Sequence, residues 1–487
     1  MPEDDSRPAV WLWPCHCFRG VVAGPHPWGG GSPCKCPHKV GGVLFFYIFG
    51  AFVKILGGEL LRLCLICGIL YMFKAKRSLT MEPITFLSGG ITSAKGFYAA
   101  GVEASVKYAN RRDVALIWSE VPCVAAGVFT TNLVAAAPVV VDRERLAAAP
   151  AARAIAVNTG CANACTGEQG LADARQIAAA TAELMGLAEG EVLVSSTGVI
   201  GTLLPVDRII AGVAKAKAAL ARGAEADEAV SRAIMTTDTV PKRAAVQVMI
   251  DGKPVTLGGM CKGAGMIEPM MATMLAYVTT DAAVDAAWLQ RELKAAADVS
   301  FNRVVVDGDE STNDTLICLA NGAAGNAVIT DGHPDAAAFS AALKAVCTAL
   351  AKQIVMDGEG VSKFVTVKVT GARTDADAHL VARAIARSPL VKTSWFGLDP
   401  NWGRVICATG YSGAEVDALK VRICYGDVCA YDCGVVATAE ALAAMQELMR
   451  AREFDVSVDL GLGEGADTIY TCDLTFEYVK INAEYTT

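Results

Sequence analysis

The chain has 487 residues, 53% of them hydrophobic and 19% charged, with a formal net charge of -8. That balance is too apolar for a disordered chain and too interrupted by charge for a many-pass membrane protein. It is also too acidic for a nucleic-acid binder, which needs clustered Lys and Arg, so a small-molecule partner is expected.

Residues 1–80 differ from the rest. They hold nine Lys/Arg against four Asp/Glu, leaving 34 against 47 for the remainder, and six of the 17 cysteines. "GGVLFFYIFGAFVKILGG" and "LLRLCLICGILYMF" are apolar but are broken by Lys54, Glu59 and Arg62. Neither reaches the roughly 18 uninterrupted apolar residues of a membrane span. The order of a signal peptide and the composition of a transit peptide are both missing. "PCHC" and "PCKCPHK" place Cys near His, but CxC is not the usual spacing of structural zinc sites. We read 1–80 as an appended anchor or translated upstream sequence, with Met81 opening the functional body. Membrane contact is expected only if that leader is a real anchor.

From Met81 the chain alternates short β-rich runs with Ala-rich helical ones. "DVALIWSE", "AGVFTT", "APVVVD" and "RAIAVNTG" read as strands closed by turn residues. "LADARQIAAATAELMGL" reads as an amphipathic helix, and "EVLVSSTGVIG" as a strand entering a glycine turn. "VDRIIAGVAKAKAALARG" reads as a helix with a glycine stop. "AVQVMIDGKPVTLGG" predicts a hairpin turning at Asp251-Gly252. Helices follow at 282–298, 335–356, 377–388 and 438–452. "KFVTVKVTG", "LKVRICYGDVCAYD" and "TCDLTFEYVKI" read as strands. The class is α/β with hairpins, hence mixed or antiparallel sheets with layered helices. The 11 body cysteines stand singly, mostly in apolar runs, as reduced core residues would.

Chemically the inventory is narrow. The body has only His333 and His379, both in polar surroundings that suggest surface positions, which argues against a Ser-His-Asp unit or a His-rich metal site. No phosphate loop or dinucleotide fingerprint is present. "SSTGVIG" (195–201) offers hydroxyls and backbone N–H groups at a strand end, as an oxyanion hole requires. "MTTDT" (235–239), "NTGCANACTGEQG" and "DGDESTNDT" are dense in small polar residues. Each, taken singly, reads first as a capped helix or a tight turn.

"KGAGMIEPMMATML" places one hydroxyl, Thr273, in an apolar run behind a glycine-rich turn. Threonine is a poor nucleophile without a base, but cleavage before it frees its own α-amine to serve as one. The amine's reference pKa of ~7.7–8.0 suits proton transfer near neutrality. The Gly263-Ala264-Gly265 turn tolerates backbone strain, and small Ala272 leaves its carbonyl open to attack.

With that motif in view, the body resembles the glutamate N-acetyltransferase family, also called ornithine acetyltransferases, self-cleaving N-terminal-threonine enzymes of arginine biosynthesis. "GFYAAGVEASVKY", "GVFTTNLVAAAPV", "VNTGCANACTG", "SSTGVIG", "MTTDTVPK", "FNRVVVDGDESTNDT", "DGEGVSKFV", "DPNWGRV" and "INAEYTT" match in order. The resemblance implies a sandwich shared with N-terminal-nucleophile-like aminopeptidases. It implies cleavage between Ala272 and Thr273, giving an α chain (81–272) and a β chain (273–487) in an α2β2 heterotetramer. Thr273 would be the nucleophile, with Thr197 and Gly198 as the oxyanion pair. Thr239, Lys262, Glu359, Asn482 and Thr487 would contact substrate, Glu359 also shuttling protons. The implied reaction is ping-pong transfer of acetyl from N-acetylornithine to glutamate in the cytoplasm, or in an organelle matrix if the source is eukaryotic. No cofactor is implied, and acetyl-CoA as a second donor is left open.

Four positions depart from the family pattern: Glu268, Met270, Leu133 and Ala135. They are expected to alter the rate of processing while activity survives. Two other readings stand beside transfer: a hydrolase in which water resolves the acyl-enzyme, and an inert domain carried by an anchor.

Overall fold

The computed structural model of the chain describes residues 84–268 and 274–484. The expectations for the leader 1–80, Met270, Ala272, Thr273 and Thr487 lie outside the described residues.

The chain opens with β1 (Thr85–Leu87), β2 (Phe97–Val102) and β3 (Val114–Phe129), then α1 (Ala137–Ala148) and β4 (Ala151–Cys161). Next come α2 (Gly167–Met185), β5 (Val192–Val199), α3 (Val206–Ala218) and α4 (Ala224–Ala233). The hairpin β6 (Lys242–Ile250) and β7 (Lys253–Lys262) leads towards β8 (Leu275–Thr280) and α5 (Ala286–Asp298). β9 (Val304–Val305), β10 (Thr315–Ala320) and α6 (Ala336–Met356) follow. Then come β11 (Phe364–Ala372), α7 (Asp375–Arg387), α8 (Pro389–Phe396) and α9 (Trp402–Gly410). The last elements are β12 (Arg422–Tyr425), β13 (Val428–Asp432), β14 (Val435–Val436) and α10 (Ala439–Leu448), then β15 (Glu453–Asp459), β16 (Gly465–Cys472) and α11 (Phe476–Glu484).

Nine strands form one mixed sheet in the order β1-β6-β7-β8-β10-β3-β4-β5, with β2 paired to β3. The β6–β7 turn falls at Asp251-Gly252, where both φ angles are positive (51° and 69°). Two successive left-handed residues match the strand twist, as the sequence predicts. β7 runs antiparallel to β8 with Lys262 opposite Leu275, and β8 runs parallel to β10. β8 and β10, which follow residue 273, thus lie in the same sheet as strands that precede residue 272.

This sheet is buried on both faces. Ala276, Val278, Leu316 and Cys318 face the layer made by α5 and α6, with Leu293, Phe339 and Leu350 opposite them. Leu275, Tyr277, Ile317 and Leu319 alternate to the other face, against Val230 and Ala233 of α4. Period-two alternation of this kind directs each side chain to one layer, and each buried Leu or Phe contributes roughly 1.5–3 kcal/mol. α6 is long and apolar enough to cross a membrane by length and composition alone, yet it is packed into this core. A second, seven-stranded mixed sheet, β14-β13-β12-β15-β11-β16-β9, packs against α7, α8, α9 and α10 through Ile385, Trp395, Val405 and Met445.

Several local readings need correction. "APVVVD" is the first turn of α1, because Pro138 suits a position where its missing N–H is unneeded. "DVALIWSE" and "AGVFTT" are parts of one long strand, β3. The helix α3 is capped by Ala219, and Gly223 instead caps the start of α4. "TCDLTFEYVKI" is split: β16 stops at Cys472 and Phe476 opens α11. Asp473, between them, accepts the N–H groups of Ser362 and Lys363, both at 2.9 Å. Nor are all body cysteines single: Cys424 and Cys429 form a disulfide across the β12–β13 hairpin, and Cys165, Cys407 and Cys433 are exposed. His333 is not a loose surface residue, since its ring is held between Asp251 (3.3 Å) and the N–H of Asp335 (3.1 Å). His379 bonds Asp467 at 2.7 Å.

Candidate active site

At the end of β5 the ladder to β4 is irregular, with Cys161 opposing both Thr197 and Val199. Such a bulge re-aims the side chains beside it. Gly198 has φ 131°, and a Cβ there would stand 2.3 Å from the backbone of Gly160, itself at φ 112°. Only glycine permits that crossing. Asn313 ties the two strand ends together, its amide donating to the carbonyls of Ala162 (2.6 Å) and Ser196 (2.8 Å).

Lys262, the last residue of β7, donates from Nζ to Thr197 Oγ1 of β5 at 3.3 Å. Its side chain is fully buried, and burial pulls its pKa below the ordinary lysine value despite the nearby Asp238 carboxylate. Lysine in this state moves protons more readily than a solvated one.

Asp238 accepts from Lys242 Nζ (2.6 Å) and the Gly263 N–H (2.7 Å) on one oxygen, and from the Thr236 N–H (2.9 Å) on the other. Burial alone would raise its pKa, but the charges of Lys242 and Lys262 overcome this and hold it at about 2. Lys242 also bonds Asp357 at 2.5 Å. Asp357 in turn takes the Thr239 hydroxyl and, at 3.0 Å, the Thr239 N–H. Thr239 is thus committed to this buried ion-pair network.

Glu359 is brought in by its N–H bond to Ala264 O (3.0 Å). A Cβ on Gly265 would lie 2.5 Å from its carboxyl group, so that glycine lets the side chain lie against the turn. From α11, Asn482 Nδ2 donates to Glu359 Oε2 at 2.7 Å.

One cleft is lined by Thr197, Gly198, Lys262, Glu359 and Asn482, all expected from the sequence, together with Thr236, Thr237 and Asn313. Thr239 is not among its lining residues. The "MTTDT" stretch pointed to the right turn, but only the backbone path separates Thr236 and Thr237 from Thr239. Asn313 stood in "DGDESTNDT" without a role, since its two carbonyl partners are distant in sequence. Beside Thr273, the Met274 N–H donates to Asp314 Oδ1 at 2.8 Å. Glu268 is nearly fully buried and pairs with Arg383 and, at 2.8 Å, with Arg387 of α7.

The fold and cleft define an α/β protein with a small-molecule site of hydroxyls, a buried lysine and glycine backbone at the ends of a mixed sheet. The profile of the ArgJ family matches residues 98–487. The chain is 51% identical over 395 residues to the arginine biosynthesis bifunctional protein ArgJ of Geobacter sulfurreducens, covering 81% of this chain and all of that one. It is likewise 51% identical to the ArgJ of Symbiobacterium thermophilum, over 82% of this chain and all of that one. The chain therefore belongs to the ArgJ family. A crystal structure of the Bacillus halodurans ArgJ protein is 45% identical with a TM-score of 0.42, covering 43% of this chain and 98% of that one.

Proposed function

We propose that this chain is the acetyltransferase of arginine biosynthesis that moves acetyl from N-acetylornithine to glutamate, through an acetyl-Thr273 intermediate formed after self-cleavage at Ala272-Thr273. The reading is carried by one observation: Lys262 donates to Thr197 beside Gly198, in a cleft that Glu359 and Asn482 also line. With its oxygen accepting from Lys262, the Thr197 hydroxyl keeps its own hydrogen for a second acceptor. Together with the Gly198 N–H it suits an oxyanion.

The Thr273 oxygen adds to the acetyl carbonyl while its proton passes to its own α-amine. Collapse of the oxyanion breaks the C–N bond, and that proton leaves on the ornithine amine. The glutamate amine then attacks the ester, and the steps run in reverse to release N-acetylglutamate. Glu359, held by Asn482, relays the proton between the amines. The α2β2 assembly belongs to the same reading and is tested by native mass.

The deciding assay supplies labelled N-acetylornithine with and without glutamate. Labelled N-acetylglutamate formed with stoichiometric ornithine supports transfer. Free acetate formed at the same rate without glutamate makes the protein a hydrolase instead. A parallel reaction offers acetyl-CoA as donor.

A further inference from the structure

Upstream of 269–273, the backbone is unusually constrained. Gly263 has φ 153°, and Met266, which is not glycine, has φ 58°. A side chain in that left-handed region persists only where its surroundings enforce it. Here the enforcing group is Asp307, whose two carboxylate oxygens accept the N–H of Met266 (2.7 Å) and the N–H of Ile267 (2.8 Å). The same loop reinforces this contact through its backbone, with Val306 N–H donating to Ile267 O at 2.9 Å.

Downstream, that loop closes on the other flank. Asp314 Oδ1 accepts the Met274 N–H at 2.8 Å, and Thr315 N–H donates to Met274 O at 3.1 Å. Asp314 is fully buried, and its second oxygen has no partner among the described residues. A buried carboxyl group with an unpartnered oxygen is expensive to maintain, so its retention beside Met274 calls for a reason. The "DGDESTNDT" loop thus grips residues 266–267 with one aspartate and residue 274 with another.

We propose that Asp307 and Asp314 are positioning residues for chain scission, which hold the two flanks of the cleaved segment in register by accepting their backbone N–H groups. This rests on the self-cleavage reading given above. Both flanks hang from one loop, so relative movement of the Ile267 and Met274 ends is restricted before the cut. After it, Asp314 still fixes the residue bonded to the new N-terminus. Scission needs its reacting atoms held close, and small misplacements are costly in rate.

The test follows uncut chain by intact mass after expression, in wild type and in Asp307→Ala, Asp307→Asn, Asp314→Ala and Asp314→Asn. The same four substitutions in a Thr273→Ala background report by thermal melting whether the uncut chain folds. Asn keeps one acceptor oxygen and Ala keeps none. The expected result is scission at least about tenfold slower in the Ala variants, the scale of one lost buried hydrogen bond. The Asn variants are expected to cut substantially faster than their Ala counterparts. A wild type that stays whole removes the self-cleavage reading itself. With wild type cut, folded Ala variants cutting at its rate, or folded Asn variants no faster than Ala, overturn the positioning role.

Discussion

Lys262 Nζ donates to Thr197 Oγ1 across 3.3 Å, joining the end of β7 to the bulged end of β5. The two residues lie 65 positions apart, and each is set by its strand: Lys262 by the β7–β8 register, Thr197 by the Gly160-Gly198 crossing. The site's chemistry depends on that juxtaposition.

Thr197→Ala removes a hydroxyl assigned to the oxyanion. Loss of one such donor lowers kcat by roughly 10²–10³. Thr197→Ser keeps the hydroxyl and should retain most activity, which steady-state kinetics with N-acetylornithine and glutamate will show.

Lys262→Met separates function from stability. Burial holds the Lys262 pKa below its ordinary 10.5. Between that lowered value and 10.5 the unfolded chain binds more protons than the folded one, so this lysine opposes folding at neutral pH. The substitution should leave Tm unchanged or raise it while transfer activity falls. A lowered Tm with activity intact would contradict both halves.

Asp238 gives the acid limb of stability. Its pKa falls from 3.8 to about 2 on folding, so its contribution is present above pH ~4 and fades as pH drops towards ~2, amounting to about 2 kcal/mol. Asp238→Asn should flatten the decline of unfolding free energy across that window, measured by denaturant titration at each pH.

Gly198→Ala tests the crossing of β4 and β5. A Cβ would meet Gly160 backbone at 2.3 Å at a positive φ, strain of order 1–3 kcal/mol. A lowered Tm and loss of activity beyond that of Thr197→Ala are expected.

Much of this was legible in the sequence, for identifiable reasons. The hairpin at Asp251-Gly252 and the long amphipathic helices carry their signals locally. Thr197, Gly198, Lys262, Glu359 and Asn482 were identified by motif, and the structure brings these five to one cleft. Local propensity failed where distant partners decide. "APVVVD" became a helix start, and "FEYVKI" left the strand it seemed to continue. Thr239 carries the same residue type as Thr236 and Thr237, but a lysine–aspartate network buried below the turn claims it. Glu268 stood out as a departure, yet its two arginine partners lie more than a hundred residues away.

The central claim is that a peptide cut turns Thr273 into the acyl carrier. Its most direct test incubates the protein with N-acetylornithine alone, quenches in acid and maps the chain by mass spectrometry. The account predicts two chains meeting at Ala272-Thr273, with one acetyl group on the peptide that begins at Thr273. An unbroken chain that still transfers acetyl, or the label on another residue, would contradict it.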